Sequence, residues 1–345
     1  MSSGRTAFII DIDGKEFTYD LEEPIGQRNP TTLWEEYQSA VTEARAIVAR
    51  QPQTLAAYSS TCKLCWWRTA CSKSLEEADD LTLLPELGRS KRDVMNDHVG
   101  TITEFASMNV DAFVNGDKTV FKGIGGDVLR KLHERAKLVT SPNPRPYLTV
   151  PLTLPHSEIG IFFDVETDPM RDFCYLHGML ERRGGDNRTE KFDAFFADDL
   201  SPAAEREAFA QAWNYLCARP TAVIFYYSKY ERTIWRALQR KYPDVCSADE
   251  IEALFDPERS VDLYYDVVQV ATMWPTRDHS IKTLAKFLGF QWRDTNPSGA
   301  ASIEWFDQWF TTGDPTTKQR IVDYNQDDCV ATRVLLDGIR RLSEQ

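Results

Sequence analysis

The reading of this chain turns on Ile161-Phe162-Phe163-Asp164-Val165-Glu166-Thr167. An apolar run delivers two carboxylates two residues apart. If the run is a strand, alternate side chains share one side, so Asp164 and Glu166 point the same way. Two like charges held together repel, and one pKa rises. A divalent cation between them removes the repulsion, and hard oxygen ligands suit Mg²⁺ or Mn²⁺. The plain alternative is a strand end with solvated acids.

Outward from this stretch, residues beyond Tyr147 alternate between strand-like and helix-like patterns, which predicts an α/β domain. Expected strands are Gly160–Val165, Cys174–Glu181, Glu190–Ala197 and Ala222–Tyr227. Expected helices are Pro202–Ala218, Lys229–Lys241, Ser280–Leu288 and a long one over Thr317–Leu342. Within that last helix lies Asp323-Tyr324-Asn325-Gln326-Asp327-Asp328-Cys329, where Tyr324 and Asp328 are four apart and share a face. A Y-x-x-x-D spacing is weak alone. Following a D-x-E strand, it gains weight.

With these motifs the sequence resembles the DEDD superfamily of 3′–5′ exonucleases, the DnaQ-like branch of the RNase H-like fold, in its tyrosine-bearing (DEDDy) subclass. It more closely resembles the YprB-type RNase H-like domain that follows a RecB-like nuclease module. The blocks are F-F-D-V-E-T-D-P, F-Y-Y-S-K-Y-E, V-D-L-Y-Y-D-V, S-I-K-T-L-A-K-F-L-G-F and Y-N-Q-D-D-C-V-A-T, from Gly160 onward. The resemblance implies a mixed sheet flanked by helices. It also implies metal ligands Asp164, Glu166, a middle acid and Asp328, with Tyr324 orienting or deprotonating the attacking water. The chemistry would be two-metal phosphodiester hydrolysis with two Mg²⁺ or Mn²⁺ ions. The alternative is a catalytically inactive nucleic-acid-binding or adaptor domain of a larger nuclease or helicase assembly.

The middle acid is expected to be Glu231, at the start of the helix after the fourth strand, because no Asp occurs between Asp199 and Asp244. Asp262 reads equally as a cap or as a group near the metals. Asp327, about 100° round the helix from Asp328, reads as a face charge or a supporting acid. Lys282 reads as a phosphate contact or as an exposed helix lysine.

The 345 residues suffice for about two domains. Hydrophobic residues make up 42%, so real cores are within reach, and no apolar run approaches the ~18–20 residues of a membrane helix. The first residues contain no long apolar signal region, and a cytoplasmic location is expected. A net charge of -13 excludes a generally polybasic protein but leaves room for a local basic patch. Residues 118–147 supply one, with seven Lys/Arg against Asp127 and Glu134. There Lys122-Gly123-Ile124-Gly125 resembles a helix-hairpin-helix turn, with Lys122, Gly123, Gly125, Arg130 and Lys131 as candidate contacts to a nucleic-acid backbone. Its alternative is a plain helical hairpin with a solvated basic face. A second such unit is expected around Leu83–Arg89.

Cys62-Lys63-Leu64-Cys65-Trp66-Trp67-Arg68-Thr69-Ala70-Cys71 places three of the seven cysteines together. The spacing resembles the cysteine triplet of iron–sulfur RecB/AddB-type nucleases. A [4Fe–4S] cluster or Zn²⁺ is one reading of Cys62, Cys65 and Cys71, and three packed thiols the other. A fourth ligand would have to come from a partner or a missing segment. The expected organisation is a truncated RecB-like remnant over 1–75, a mainly α helix-hairpin-helix connector over 76–140, a Pro-rich linker over 141–150 and an RNase H-like exonuclease domain over 151–345. In the remnant, Phe8–Phe17 reads as a hairpin turning at Asp13-Gly14, and Leu33–Arg50 as a helix too small to stand alone. A fragment of a longer nuclease is a further possibility.

Overall fold

The computed structural model describes residues 5–11, 14–26, 30–51, 54–295 and 298–344. The first hairpin pairs β1 (Thr6–Ile10) with β2 (Glu16–Asp20), as expected, while the turn residue Asp13 lies outside the described residues. Helix α1 (Leu33–Val48) opens with a reciprocal capping box between Thr32 and Glu35. It buries no residue, and Phe8, Ile9, Ile10 and Val48 are exposed.

A second unit is helical. Its helices α2 (Arg68–Glu77), α3 (Gly88–Met95), α4 (Ile102–Ser107) and α5 (Gly126–Thr140) enclose a core that includes Leu81, Leu87, Met95, Phe105, Phe121 and Leu129. At the clearer of the two expected helix-hairpin-helix turns the local geometry differs from the expectation. The Lys122–Gly125 turn follows a two-residue ribbon, Val114–Asn115 with Lys118–Thr119, and not a helix. The Thr119 hydroxyl ties the turn to that ribbon through the carbonyls of Phe121 (3.1 Å) and Ile124 (2.7 Å).

The third unit carries the sheet. Strands β3 (Ile159–Asp168), β4 (Phe173–Arg183), β5 (Asp186–Phe196), β6 (Val223–Tyr226) and β7 (Ser260–Asp262) lie in the order β5-β4-β3-β6-β7. The first three are antiparallel, and β6 runs parallel to both β3 and β7. Both faces are covered. Ile161, Phe163 and Val165 point into one core with Phe209 and Trp213 of α6 (Pro202–Cys217) and Trp235 of α7 (Tyr230–Lys241), closed by α8 (Ala248–Leu254). Phe162 points into the other with Leu284 of α9 (Ile281–Phe287), and a further helix, α10 (Gly299–Thr312), leads to α11 (Pro315–Ser343), which supplies Cys329, Leu335, Leu336 and Ile339. Period-two alternation therefore turns Asp164 and Glu166, on the side of Phe162, toward α11.

The helical unit meets this domain through Tyr147–Leu148 pairing with Thr272–Met273, a Lys131 Nζ bond to the Gln269 carbonyl (3.3 Å) and an Arg277–Glu76 ion pair (2.6 Å). No helix among the described residues is long and apolar enough to cross a membrane.

Gly178 of β4, opposite Asp164, lets α11 come this close: a Cβ there would sit 1.7 Å from Asn325 Oδ1 and 3.0 Å from Phe192. Gly178→Ala is expected to cost about 1–3 kcal/mol through overpacking and to lower Tm by several degrees in thermal denaturation. An unchanged Tm would contradict this close approach.

Candidate metal centre

Asp164 and Glu166 leave β3 toward α11, and α11 returns Asp328. One ligand atom from each lies within 4.8 Å of the others, the only such group of three or more His, Cys, Asp or Glu among the described residues. Asp164 is partly open, while Glu166 and Asp328 are buried.

Each carboxylate has its own restraint. Asn325 Nδ2 donates to Asp164 Oδ2 at 2.6 Å. Trp292 Nε1 donates to Asp328 Oδ1 at 2.7 Å. Glu166 Oε2 accepts from Tyr175 Oη at 3.5 Å, and that hydroxyl in turn meets Ser302 Oγ of α10 at 2.8 Å. Tyr175 itself stacks on Phe306 with ring centres 4.0 Å apart. The expected supporting acid Asp327 accepts from the Arg293 backbone N–H (2.8 Å) and Nε (2.9 Å), so it anchors the loop that carries Trp292.

Lys282 comes from the first turn of α9. Its Nζ donates to Tyr324 Oη at 2.7 Å and lies 3.7 Å from Asp328 Oδ2. Of the two readings of Lys282, the exposed helix lysine is therefore not what forms. Tyr324 is buried. Burial, reinforced by Asp328, Glu166 and Asp164, pushes its phenol far above the ordinary range.

Glu231 sits in the first turn of α7, 3% exposed, with Oε2 buried and unpartnered. It is not within the mutual distance of the other three, yet their charges reach one another. The turn delivering it is strained: Ser228 has φ +89, a region that costs a non-glycine residue on the order of 1–3 kcal/mol. Asp262 stabilises that turn. Its Oδ1 accepts the backbone N–H groups of Ser228 (2.9 Å), Tyr264 (3.0 Å) and Tyr265 (3.1 Å), the behaviour of a cap.

The electrostatics record the crowding. Asp164 is raised well above the usual carboxylate range by burial and then by Asp328, Glu166 and Glu231, with Lys282 opposing. Glu166 is pushed up to about 8 by burial and by Asp328. Burial raises Asp328 against the opposing Lys282 and Trp292, and burial raises Glu231, with Asp262 and Asp328 adding to it. Hard oxygen donors, mutual repulsion and a buried unpartnered carboxylate oxygen together fit divalent cations.

The remaining candidates lie elsewhere. Cys62 and Cys71 are half-buried and Cys65 exposed; all are free thiols, and their sulfurs do not gather within the distance seen for the carboxylates. Lys122, Gly123 and Gly125 occupy the turn before α5, where the Gly126 N–H is already bonded to the Asp117 carbonyl (3.0 Å). Arg130 pairs with Asp111 (3.1 Å) and Asp127 (3.7 Å), and Lys131 with Glu86 (3.5 Å).

Sequence reasoning missed Asn325, Trp292, Tyr175 and Ser302. Asn325 carried a local signal, one residue after Tyr324, but only the approach of α11 to Gly178 makes it face Asp164. The helix bearing Ser302 was legible from Ser298, which caps it at the Ala301 N–H (3.1 Å), and from Trp305, Phe306 and Trp309 at helical spacing.

Residues 161–339, more than half of the chain, match a family model described as the RNase H superfamily. No curated protein and no solved structure gives a significant match.

Acids whose folded pKa lies above the unfolded value lend stability below the ordinary carboxylate range and lose it as pH rises toward the folded pKa. In EDTA, Tm is therefore expected to fall between pH 5 and pH 8 more steeply for the wild type than for Asp328→Asn, which removes a repulsive charge. Mg²⁺ or Mn²⁺ should abolish the difference in slope. Parallel curves for the two proteins in EDTA would refute the repulsion.

Proposed function

The chain belongs to the RNase H superfamily, and from that premise we propose that it is a metal-dependent nuclease of the 3′–5′ exonuclease type, acting on DNA or RNA. The observation carrying this reading is the convergence of Asp164, Glu166 and Asp328 from two elements that the sheet and the last helix bring together. The residues that would hold the ions are these three with Glu231 as the fourth acid. Bound there, divalent cations would neutralise a phosphate and activate water for attack on it.

The chain's own groups do the positioning. Asn325 and Trp292 fix the orientation of Asp164 and Asp328. The Tyr324 hydroxyl, held between Lys282 and Asp328, would orient the water, and Lys282, 3.7 Å from Asp328 Oδ2, would supply a cation for a phosphate oxygen. The DEDDy and YprB-type assignments rest on the D-x-E strand, Glu231 and the Y-x-x-x-D helix. The Lys122–Gly125 turn serves as a backbone contact outside the metal centre, in keeping with its place on the basic segment, where Arg130 is instead paired with Asp111 and Asp127 and Lys131 with Glu86 and Gln269. Residues 1–75 are read as a RecB-like remnant whose Cys62, Cys65 and Cys71 would take an iron–sulfur cluster or Zn²⁺ only with a ligand from elsewhere.

End-labelled single- and double-stranded DNA and RNA with Mg²⁺ or Mn²⁺, sized on a gel, test the activity. Products should shorten stepwise from the 3′ end, and Asp164→Asn or Asp328→Asn should abolish them with the fold intact. Glu231→Gln is expected to reduce turnover by orders of magnitude with little change in Tm. Asp262→Asn should instead lower Tm and keep turnover per folded molecule. Wild-type turnover in Asp164→Asn would end the nuclease reading, and an inactive, well-folded Asp262→Asn would move the fourth acid there.

A further inference from the structure

Away from the carboxylates, a cavity of about 880 Å³ opens at the seam between the helical unit and the sheet domain. One wall comes from Ser59–Thr61, the Leu84–Lys91 segment and the Lys122–Gly123 turn. The other comes from Tyr264 and from Arg277–His279. Gly123 holds φ +80, so the turn presents backbone to the cavity without a side chain.

The lining is cationic in a chain of net charge -13. Arg89, Lys91, Lys122 and Arg277 face two acids, Glu86 and Asp278. Both acids are already engaged: Glu86 with Lys131 (3.5 Å) and Arg135 (3.6 Å), and Asp278 with the Ser280 N–H (2.9 Å) and hydroxyl (2.7 Å). Neither Arg89 nor Lys122 has an ion-pair partner among the described residues. His279 lines the same cavity at 8% exposure, and its buried Nε2 has no partner. Burial first, then Arg135 and Lys131 against the opposing Glu86 and Asp278, lowers the His279 pKa to about 4, so its imidazole is neutral at neutral pH.

The wall also runs into the metal centre. The Tyr227 hydroxyl donates to the His279 carbonyl, at the end of the strand whose next turn delivers Glu231. Ser280 then caps α9, and Lys282 follows in its first turn. Lys282 is five positions beyond Arg277, so the two Cα atoms are at most about 18 Å apart. A cavity of this size falls in the range of small-molecule pockets, about 300–1,000 Å³, the scale of a short run of nucleotides.

We propose that this seam is a second binding site, taking the phosphate backbone of a single-stranded nucleic acid whose end lies at the carboxylates. The proposal rests on the nuclease reading for the identity of the strand. Arg89 and Lys122 supply the unpaired charge, Arg277 sits beside them in its pair with Glu76, the Ser59–Thr61 hydroxyls and the Gly123 backbone supply the short contacts, and unpartnered His279 a further polar group. Because the seam joins two units, their relative position sets the strand's path to the metal centre.

The test is fluorescence anisotropy with a labelled 20-nucleotide single strand in EDTA, where nothing is cleaved and the result does not depend on turnover. Arg89→Glu/Lys122→Glu is expected to weaken binding at least tenfold at low salt. The slope of log affinity against log salt should become shallower by about 1.4, two phosphate contacts at ~0.7 each. Arg188→Glu/Lys191→Glu carries the same charge change on an exposed edge strand and should shift affinity less than twofold. Wild-type affinity and slope in the first variant, or equal weakening in the second, would overturn the proposal. Absence of cleavage by the wild type would instead strike the nuclease reading alone.

Discussion

Repulsion among carboxylates crowded out of water is the constraint on which the rest of the structure depends. Burial in a medium of low effective dielectric disfavours each charge, and each neighbour makes the next harder to ionise. Such a cluster persists only where the surrounding structure over-determines it. Here Asn325, Trp292, Tyr175 with Ser302, and Lys282 do so from β4, the loop before α10 and helices α9, α10 and α11.

Much of the unusual local structure follows from that demand. Asn325 reaches Asp164 only because Gly178 leaves room for it. Trp292 reaches Asp328 only because Asp327 fastens the Arg293 backbone beside it. The positive φ of Ser228, stabilised by Asp262, turns β6 into α7 so that Glu231 faces the acids from the third side. These features cost stability individually and make sense as parts of one site whose acids are compatible with a divalent cation.

How much of this was legible follows from the range of each interaction. Asp164 and Glu166 could be paired from sequence because a strand's alternation is local, and Tyr324 with Asp328 because a helix repeats every four residues or so. Glu231 was named because the resemblance calls for an acid after the fourth strand and no Asp was available there; it is buried with its Oε2 unpartnered but outside the group of three. Asn325, Trp292, Tyr175 and Ser302 were not legible, because their roles arise only when α10 and α11 fold back on the sheet. At Lys122–Gly125 the glycine turn was legible, but the ribbon before it was not, because a short motif does not report what precedes it. Around Asp262 the sequence left strand and helix open, because three residues show no period; the parallel pairing of β7 with β6 places Asp262 under Ser228.

The measurement that tests the account most directly is Mn²⁺ binding followed by loss of the free-ion electron paramagnetic resonance signal on titration with protein at neutral pH. The account predicts saturable uptake by the wild type and its loss in Asp164→Asn and in Asp328→Asn, with circular dichroism unchanged. Equal uptake by the wild type and both variants would mean that these acids hold no cation and that the crowding serves some other purpose.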